Sequence, residues 1–272
     1  MTRRTLLATS ALPLAAAQSS IKLIIIGDDI GAVHAIGVGT IEAYQKGIMR
    51  SANLIVCGPW LIESIKLLEA NPGLDVGIHL ALTSEWDSVK WRPITSMPSL
   101  VDTNGFFPPR TRDVAAPNVK LSEVEAEIRA QIEMAKRLLP RASWISAHMG
   151  AATATPALKE LTLKLAAEYK TPMQDAIPGL NRLRAPYSGN SSTQDKINGM
   201  VAMIKGLTPG IYAMVDHPAT DTAEMRRVGH PGNYNVAEQR SGILSAWTHP
   251  AVIEVVKQGN IELTSVGASV LR

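Results

Sequence analysis

A single cysteine among 272 residues leaves no internal disulfide to build on. Cys57 lies within the apolar run Asn53-Leu54-Ile55-Val56-Cys57, where a small buried core residue is expected. Aromatic residues make up 4% of the chain, so a cluster of them in one segment carries weight. Neither sign of charge dominates: 27 Lys and Arg face 24 Asp and Glu, and without Arg3 and Arg4 the balance is 25 against 24. A chain so nearly neutral lacks the basic footprint of a nucleic-acid binder. No stretch beyond the first residues reaches the ~20 apolar residues of a membrane span. There is no internal repeat, and no Gly- or Ser-rich linker divides the chain. What is present, 46% hydrophobic and 19% charged residues, suffices for one sizeable globular domain.

The first residues stand apart from that domain. Met1-Thr2-Arg3-Arg4-Thr5-Leu6-Leu7 places paired arginines before an apolar stretch, and Ala15-Ala16-Ala17 offers small residues for cleavage before Gln18. Residues 1–17 are therefore expected to be an export signal, and their Thr-Arg-Arg-x-Leu-Leu order resembles a twin-arginine leader. The processed protein is expected to be soluble, in the periplasm or outside the cell.

From residue 20 onward the pattern alternates strand and helix. Leu23-Ile24-Ile25-Ile26 is an aliphatic run closed by Gly27-Asp28-Asp29-Ile30-Gly31, the signature of a strand buried on both faces. A helix over 32–46, a strand over 51–57, a helix from Pro59 stopped at Asn71-Pro72-Gly73, and a strand over 74–82 follow. Residues 83–120 break the rhythm with five prolines, two tryptophans and Phe106-Phe107, and a loop of this length is expected to cover a pocket. Ser122 and Glu125 have capping-box spacing for the next helix, and 143–149 reads as a strand. A helix from Thr155-Pro156, a short strand near Met173, a loop, a helix over 193–207, a strand over 210–216, helices over 237–247 and 251–257 and a last strand over 261–266 complete the chain. With about seven such units, residues 20–272 are expected to form one α/β domain: a single distorted (β/α) barrel of about seven parallel strands, like a TIM barrel.

In such a barrel all strand C-termini meet on one face. Asp28 and Asp29 end the first strand, His79 lies near the end of the third, His148 ends the fourth and Asp216-His217 ends the sixth. One carboxylate with two neutral imidazoles makes an open site for a divalent ion such as zinc, leaving the other Asp free to act as a base. His34 follows the Asp pair closely enough to touch substrate, although a place at a helix start explains it equally well; His230 and His249 are read as structural. Trp86, Trp91 and Phe106-Phe107 offer either a platform for sugar rings or anchors that fill a satellite core under the loop, with the sugar platform favoured by how few aromatics the chain has, and Arg92 is the one cation near a strand end that could meet a substrate.

These stretches together resemble the YdjC/ChbG-type carbohydrate deacetylase family. The likeness rests on Gly27-Asp28-Asp29-Ile30-Gly31, on Asn71-Pro72-Gly73-Leu74-Asp75-Val76-Gly77-Ile78-His79-Leu80, and on Thr83-Ser84-Glu85-Trp86 with Pro98-Ser99-Leu100-Val101-Asp102. Ser146-Ala147-His148-Met149-Gly150, His217-Pro218-Ala219 and Ile261-Glu262-Leu263-Thr264 continue it in order. The resemblance implies removal of N-acetyl groups from amino sugars, with Asp29, His79 and His148 as ligands of one divalent metal, zinc first and magnesium second. It implies Asp28 as general base and His217 as general acid, while the reading of the residues themselves adds Trp86, Trp91 and Arg92 as substrate contacts. The expected partner is a small carbohydrate, and a homodimer is left open. Two departures stand out: Ser146 occupies the place of a family Asp, and Ile26-Gly27 replaces Asn-Ala before the Asp pair. The rival readings are an exported glycan-binding protein that has lost catalysis, and a metal-dependent hydrolase of another bond such as a phosphoester.

Overall fold

The aliphatic run near the start forms β1 (Ile21–Ile30), which sits inside a seven-stranded parallel sheet. The structure, a computed structural model, describes residues 20–270, so the expected leader lies outside the described residues. β2 (Ser51–Leu54), β3 (Asp75–Leu80) and β4 (Trp144–Ala147) extend the sheet on one side of β1; β6 (Gly210–Asp216) and β5 (Leu180–Leu183) extend it on the other. β7 (Glu262–Leu263) pairs with β1 only at Lys22 and Leu23. The connecting helices are α1 (His34–Lys46), α2 (Leu61–Glu69), α3 (Thr111–Val114), α4 (Leu121–Leu138), α5 (Pro156–Glu168), α6 (Thr193–Lys205), α7 (Val236–Thr248), α8 (Pro250–Gln258) and α9 (Val266–Val270).

Strand periodicity divides the core in two. Leu23 and Ile25 face the larger cluster shared with the helices, while Ile24 and Ile26, on the opposite face, join a smaller one with Trp144, Ile177, Ala213 and Val266. Both faces of β1 are thus apolar, as its continuous hydrophobic run required. The distorted barrel takes the form of a curled half-barrel. No ladder joins β4 to β5 among the described residues; the single bridge Ile145–Met173 lies against the outer edge of β4.

Local expectations fail where a tertiary contact supplies the order. The strand expected near Met173 is only that one bridge, and the true strand β5 lies at Leu-Asn-Arg-Leu, within the segment read as loop. An edge strand bonded to one neighbour needs no apolar run, and Asn181 and Arg182 are exposed. The capping box at Ser122 and Glu125 does not form. α4 begins after Lys120 without a side-chain cap, and the loop holds that end instead: Glu123 accepts from the Ser99 amide at 2.9 Å, and Ser99 Oγ accepts from the Lys120 amide at 3.0 Å.

The long loop after β3 is tied down by two buried polar residues of α4. Glu127 accepts from the amides of Ile94 and Thr95 at 3.0 and 2.8 Å and from the Thr95 hydroxyl at 2.6 Å. Gln131 donates to Glu127 and exchanges two bonds with the backbone of Ala81. A fully buried carboxylate is tolerable because each oxygen is met by a donor. Glu127→Ala is expected to cost about 2–4 kcal/mol, the range for stranding several buried partners, and to open residues 83–120 to proteolysis. Urea titration and limited digestion check both.

Candidate metal centre

In a regular strand Asp28 and Asp29 would point to opposite faces. They do not, because the β1–β2 register shifts between Gly27 and Ile30, a bulge in which Asp29 takes φ 72°. An aspartate held there costs about 1–3 kcal/mol, and a bulge is a common device for re-aiming a side chain. The two carboxylates now converge: His79 Nε2 lies 3.5 Å from Asp28 Oδ2 and 3.5 Å from Asp29 Oδ1. Gly31 completes the bend at φ 108°, where a Cβ would run into the Ile55 carbonyl oxygen.

Asp29 is the hub, with 1% of its side chain exposed. His148, in a 3-10 turn just after β4, places Nδ1 3.1 Å from Asp29 Oδ1 and 3.4 Å from His79 Nε2. Arg240 of α7 donates to Asp29 Oδ2 at 2.9 Å, and His217 Nε2 lies 3.8 Å from that oxygen. Oδ1 itself is buried and no group meets it in hydrogen-bond geometry. The three atoms facing one another are thus 3.1, 3.4 and 3.5 Å apart. Donors 2.0–2.1 Å from a tetrahedral zinc stand about 3.3 Å from each other, so Asp29, His79 and His148 fit an ion between them.

Buried hydrogen bonds decide which imidazole nitrogen of His79 is free. Ser146 Oγ donates to Asn53 Oδ1 at 2.6 Å, and Asn53 Nδ2 donates to Asp28 Oδ1 at 2.6 Å. With its one proton committed, the serine accepts from His79 Nδ1, also at 2.6 Å. The Nε2 lone pair of His79 therefore faces the carboxylates. Strand register sets the contact, since His79 pairs directly with Ser146.

The electrostatics follow from burial opposed by opposite charge. Burial alone would raise the Asp29 carboxyl, but His148, His217 and Arg240 outweigh it and hold it well below the usual range. Burial would lower His148, yet the Glu85 and Asp29 carboxylates raise it to about 10. His217 is raised too: burial works downward, and Asp29 outweighs it with help from Asp216.

A cavity of about 320 Å³ opens beside the centre, lined by Glu85, Trp86, Tyr187, Asp216, His217 and Arg240 among others. Of the residues expected to meet the sugar, only Trp86 reaches it. Trp91 packs edge-on against Trp86 and His148 with its indole donating to the Thr83 carbonyl, and Arg92 is exposed above the Phe106 ring. His34 is engaged by Glu63 at 2.9 Å and His249 caps α8, but His230, read as structural, lines the cavity.

Asn53, Glu85 and Arg240 escaped the sequence reading. Arg240 had one visible sign: it interrupts the helical apolar stripe Val236, Ile243, Trp247. Asn53 is likewise a lone amide in a buried strand. Glu85 carried no sign beyond its place in the family-like segment.

Fold and site together define a class: a parallel half-barrel with a buried Asp-His-His group at its strand ends. The chain belongs to the family described as YdjC-like protein, whose sequence profile matches residues 22–258. It is 31% identical over 227 residues to a carbohydrate deacetylase of Thermus thermophilus, spanning 75% of this chain and 80% of that protein. A carbohydrate deacetylase of Geobacillus stearothermophilus is 25% identical over 248 residues, spanning 88% and 94%. Among solved structures, a protein of Enterococcus faecalis described as a cellobiose-phosphate cleavage protein superposes with TM-score 0.76 at 24% identity, covering 92% of this chain and 99% of that one. That last likeness establishes the fold.

Two outcomes are expected of the metal-free protein. Because the folded His148 value of about 10 exceeds the ordinary 6.5, its stabilisation is complete below 6.5 and is lost as pH rises through 10. The midpoint of thermal unfolding should fall across that window, and less so in His148→Asn. Arg240→Met strands the Asp29 carboxylate and should cost about 3 kcal/mol in urea unfolding.

Proposed function

We propose that this chain is a metal-dependent hydrolase that removes N-acetyl groups from amino sugars or short N-acetylated oligosaccharides and releases acetate. The observation that carries the reading is the arrangement around Asp29: three potential ligand atoms spaced for one ion, with a second carboxylate, Asp28, 3.5 Å from the same His79 nitrogen and outside that trio. The names carried by the relatives from Thermus and Geobacillus support the substrate class.

A divalent ion held by Asp29, His79 and His148 would polarise the acetyl carbonyl and make nearby water more acidic. One carboxylate and two imidazoles suit zinc better than magnesium, which prefers oxygen donors. Asp28 takes the proton of the attacking water on Oδ2, its Oδ1 being held by Asn53. His217 approaches Asp29 from the cavity side, 38% exposed, and passes a proton from Nε2 to the sugar nitrogen as the C–N bond breaks. Asp216 stands 3.3 Å from its Nδ1, and Tyr187 donates to that carboxylate at 2.9 Å. Water supplies the hydroxyl of acetate, and the amine leaves neutral.

A phosphoester substrate fits less well. Arg240 is the one guanidinium or ammonium among the described residues lining the cavity, and its Nη2 is bound to Asp29. A pure binding protein would have no use for Asp28 beside the centre. On the strength of the Arg3-Arg4 leader, the reaction is placed outside the cytoplasm.

Acetate release from a panel of N-acetylated mono- and oligosaccharides, with and without chelator, tests the reading. Asp28→Asn is expected to keep zinc while turnover drops about 10²–10⁴-fold. Acetate release that is indifferent to both chelator and this substitution would sink the assignment.

A further inference from the structure

Glu85 is the carboxylate in this region that neither Asp28 nor Asp29 explains. It comes from the long loop after β3, has 13% of its side chain exposed, and places Oε2 3.0 Å from His148 Nε2. A loop does not bury an acid without a partner, and the partner here is the ring whose other nitrogen faces Asp29 and His79. The neighbouring packing leaves that ring little freedom: Trp91 lies edge-on against it with centroids 5.6 Å apart, and His79 meets it from another side at 5.2 Å.

The proton positions follow from donor counting. An ionised carboxylate only accepts, so the contact places a proton on His148 Nε2. That leaves Nδ1 as the ring nitrogen facing Asp29 and His79. His79 is set the opposite way, because Ser146 accepts from its Nδ1 and leaves Nε2 open.

We infer that Glu85 is the positioning residue of this centre: it orients His148 so that Nδ1 faces the ion, while Ser146 presents Nε2 of His79, and the two imidazoles serve through opposite ring nitrogens. The inference rests on the metal-dependent reading of the site. Glu85 supplies one flank with a full negative charge, and Ser146 supplies the other with a neutral hydroxyl. Loss of Glu85 therefore weakens metal binding itself, beyond any effect on substrate.

Zinc affinity of the full chain, measured by competition with a chromophoric chelator, tests this without reference to turnover. Glu85→Ala is expected to bind zinc about 10–100-fold more weakly. Glu85→Gln, which keeps an acceptor and loses the charge, should fall between it and the unaltered chain, and it decides the matter if the alanine variant does not fold. Long-range proton–nitrogen spectra of the zinc-loaded protein should show His148 protonated on Nε2 and His79 on Nδ1. Unchanged zinc affinity in both variants with only KM altered would overturn the inference and assign Glu85 to the sugar, and so would protonation of the same nitrogen in both rings. An unaltered chain that binds no zinc would instead fail the metal reading as a whole.

Discussion

A carboxylate taken out of water on a strained backbone is the constraint around which this molecule is arranged. Removing an ion such as Asp29 from water costs several kcal/mol even after relaxation, and the bulge that aims it adds strain of its own. Compensation comes from widely separated parts of the chain: Arg240 from a late helix, His148 from the turn after β4 and His217 from the end of β6. No local segment could hold this anion, so the centre exists only when the sheet is complete. An ion between the three ligand atoms would give the buried Asp29 Oδ1 the partner it lacks.

The same bulge separates two chemically identical side chains into different environments. Asp29 meets a guanidinium and imidazoles, whereas Asp28 is held by an amide, Asn53, in a chain of hydrogen bonds that ends at His79. One acid is thereby suited to holding a cation and its neighbour to moving a proton. Asn53 and Ser146 also couple the two roles physically, since the bond that steadies Asp28 belongs to the network that selects the tautomer of His79.

The long loop is part of this machinery rather than a cover laid over it. Gln131 fastens its start at Ala81 and Glu127 holds Ile94 and Thr95, and between these two anchors the loop delivers Glu85 to His148 and Trp86 to the cavity wall. Trp91 packs edge-on against both Trp86 and His148. Arg240 joins the loop to the opposite wall, its guanidinium 5.0 Å above the Trp86 ring while it holds Asp29. Geometry at the centre therefore depends on contacts across the fold as well as on the strand ends.

Strand identity, the alternation of strands with helices and the gathering of Asp28, Asp29, His79 and His148 at one end were legible from the residues alone. Apolar runs bounded by glycine, and helical spacing of aliphatic residues, are properties of the local chain. β5 and the start of α4 were not legible, because one strand is ordered by a single neighbour and one helix end by Ser99. Glu85, Asn53 and Arg240 were hidden for the same reason: a buried polar residue takes its role from the partner that satisfies it, and each partner lies far away in sequence. The sequence determined which residues arrive at the strand ends. Only the tertiary structure decided which atoms of them face one another, since the bulge at Asp29, the register of His79 with Ser146 and the reach of Glu85 are set by non-local hydrogen bonds.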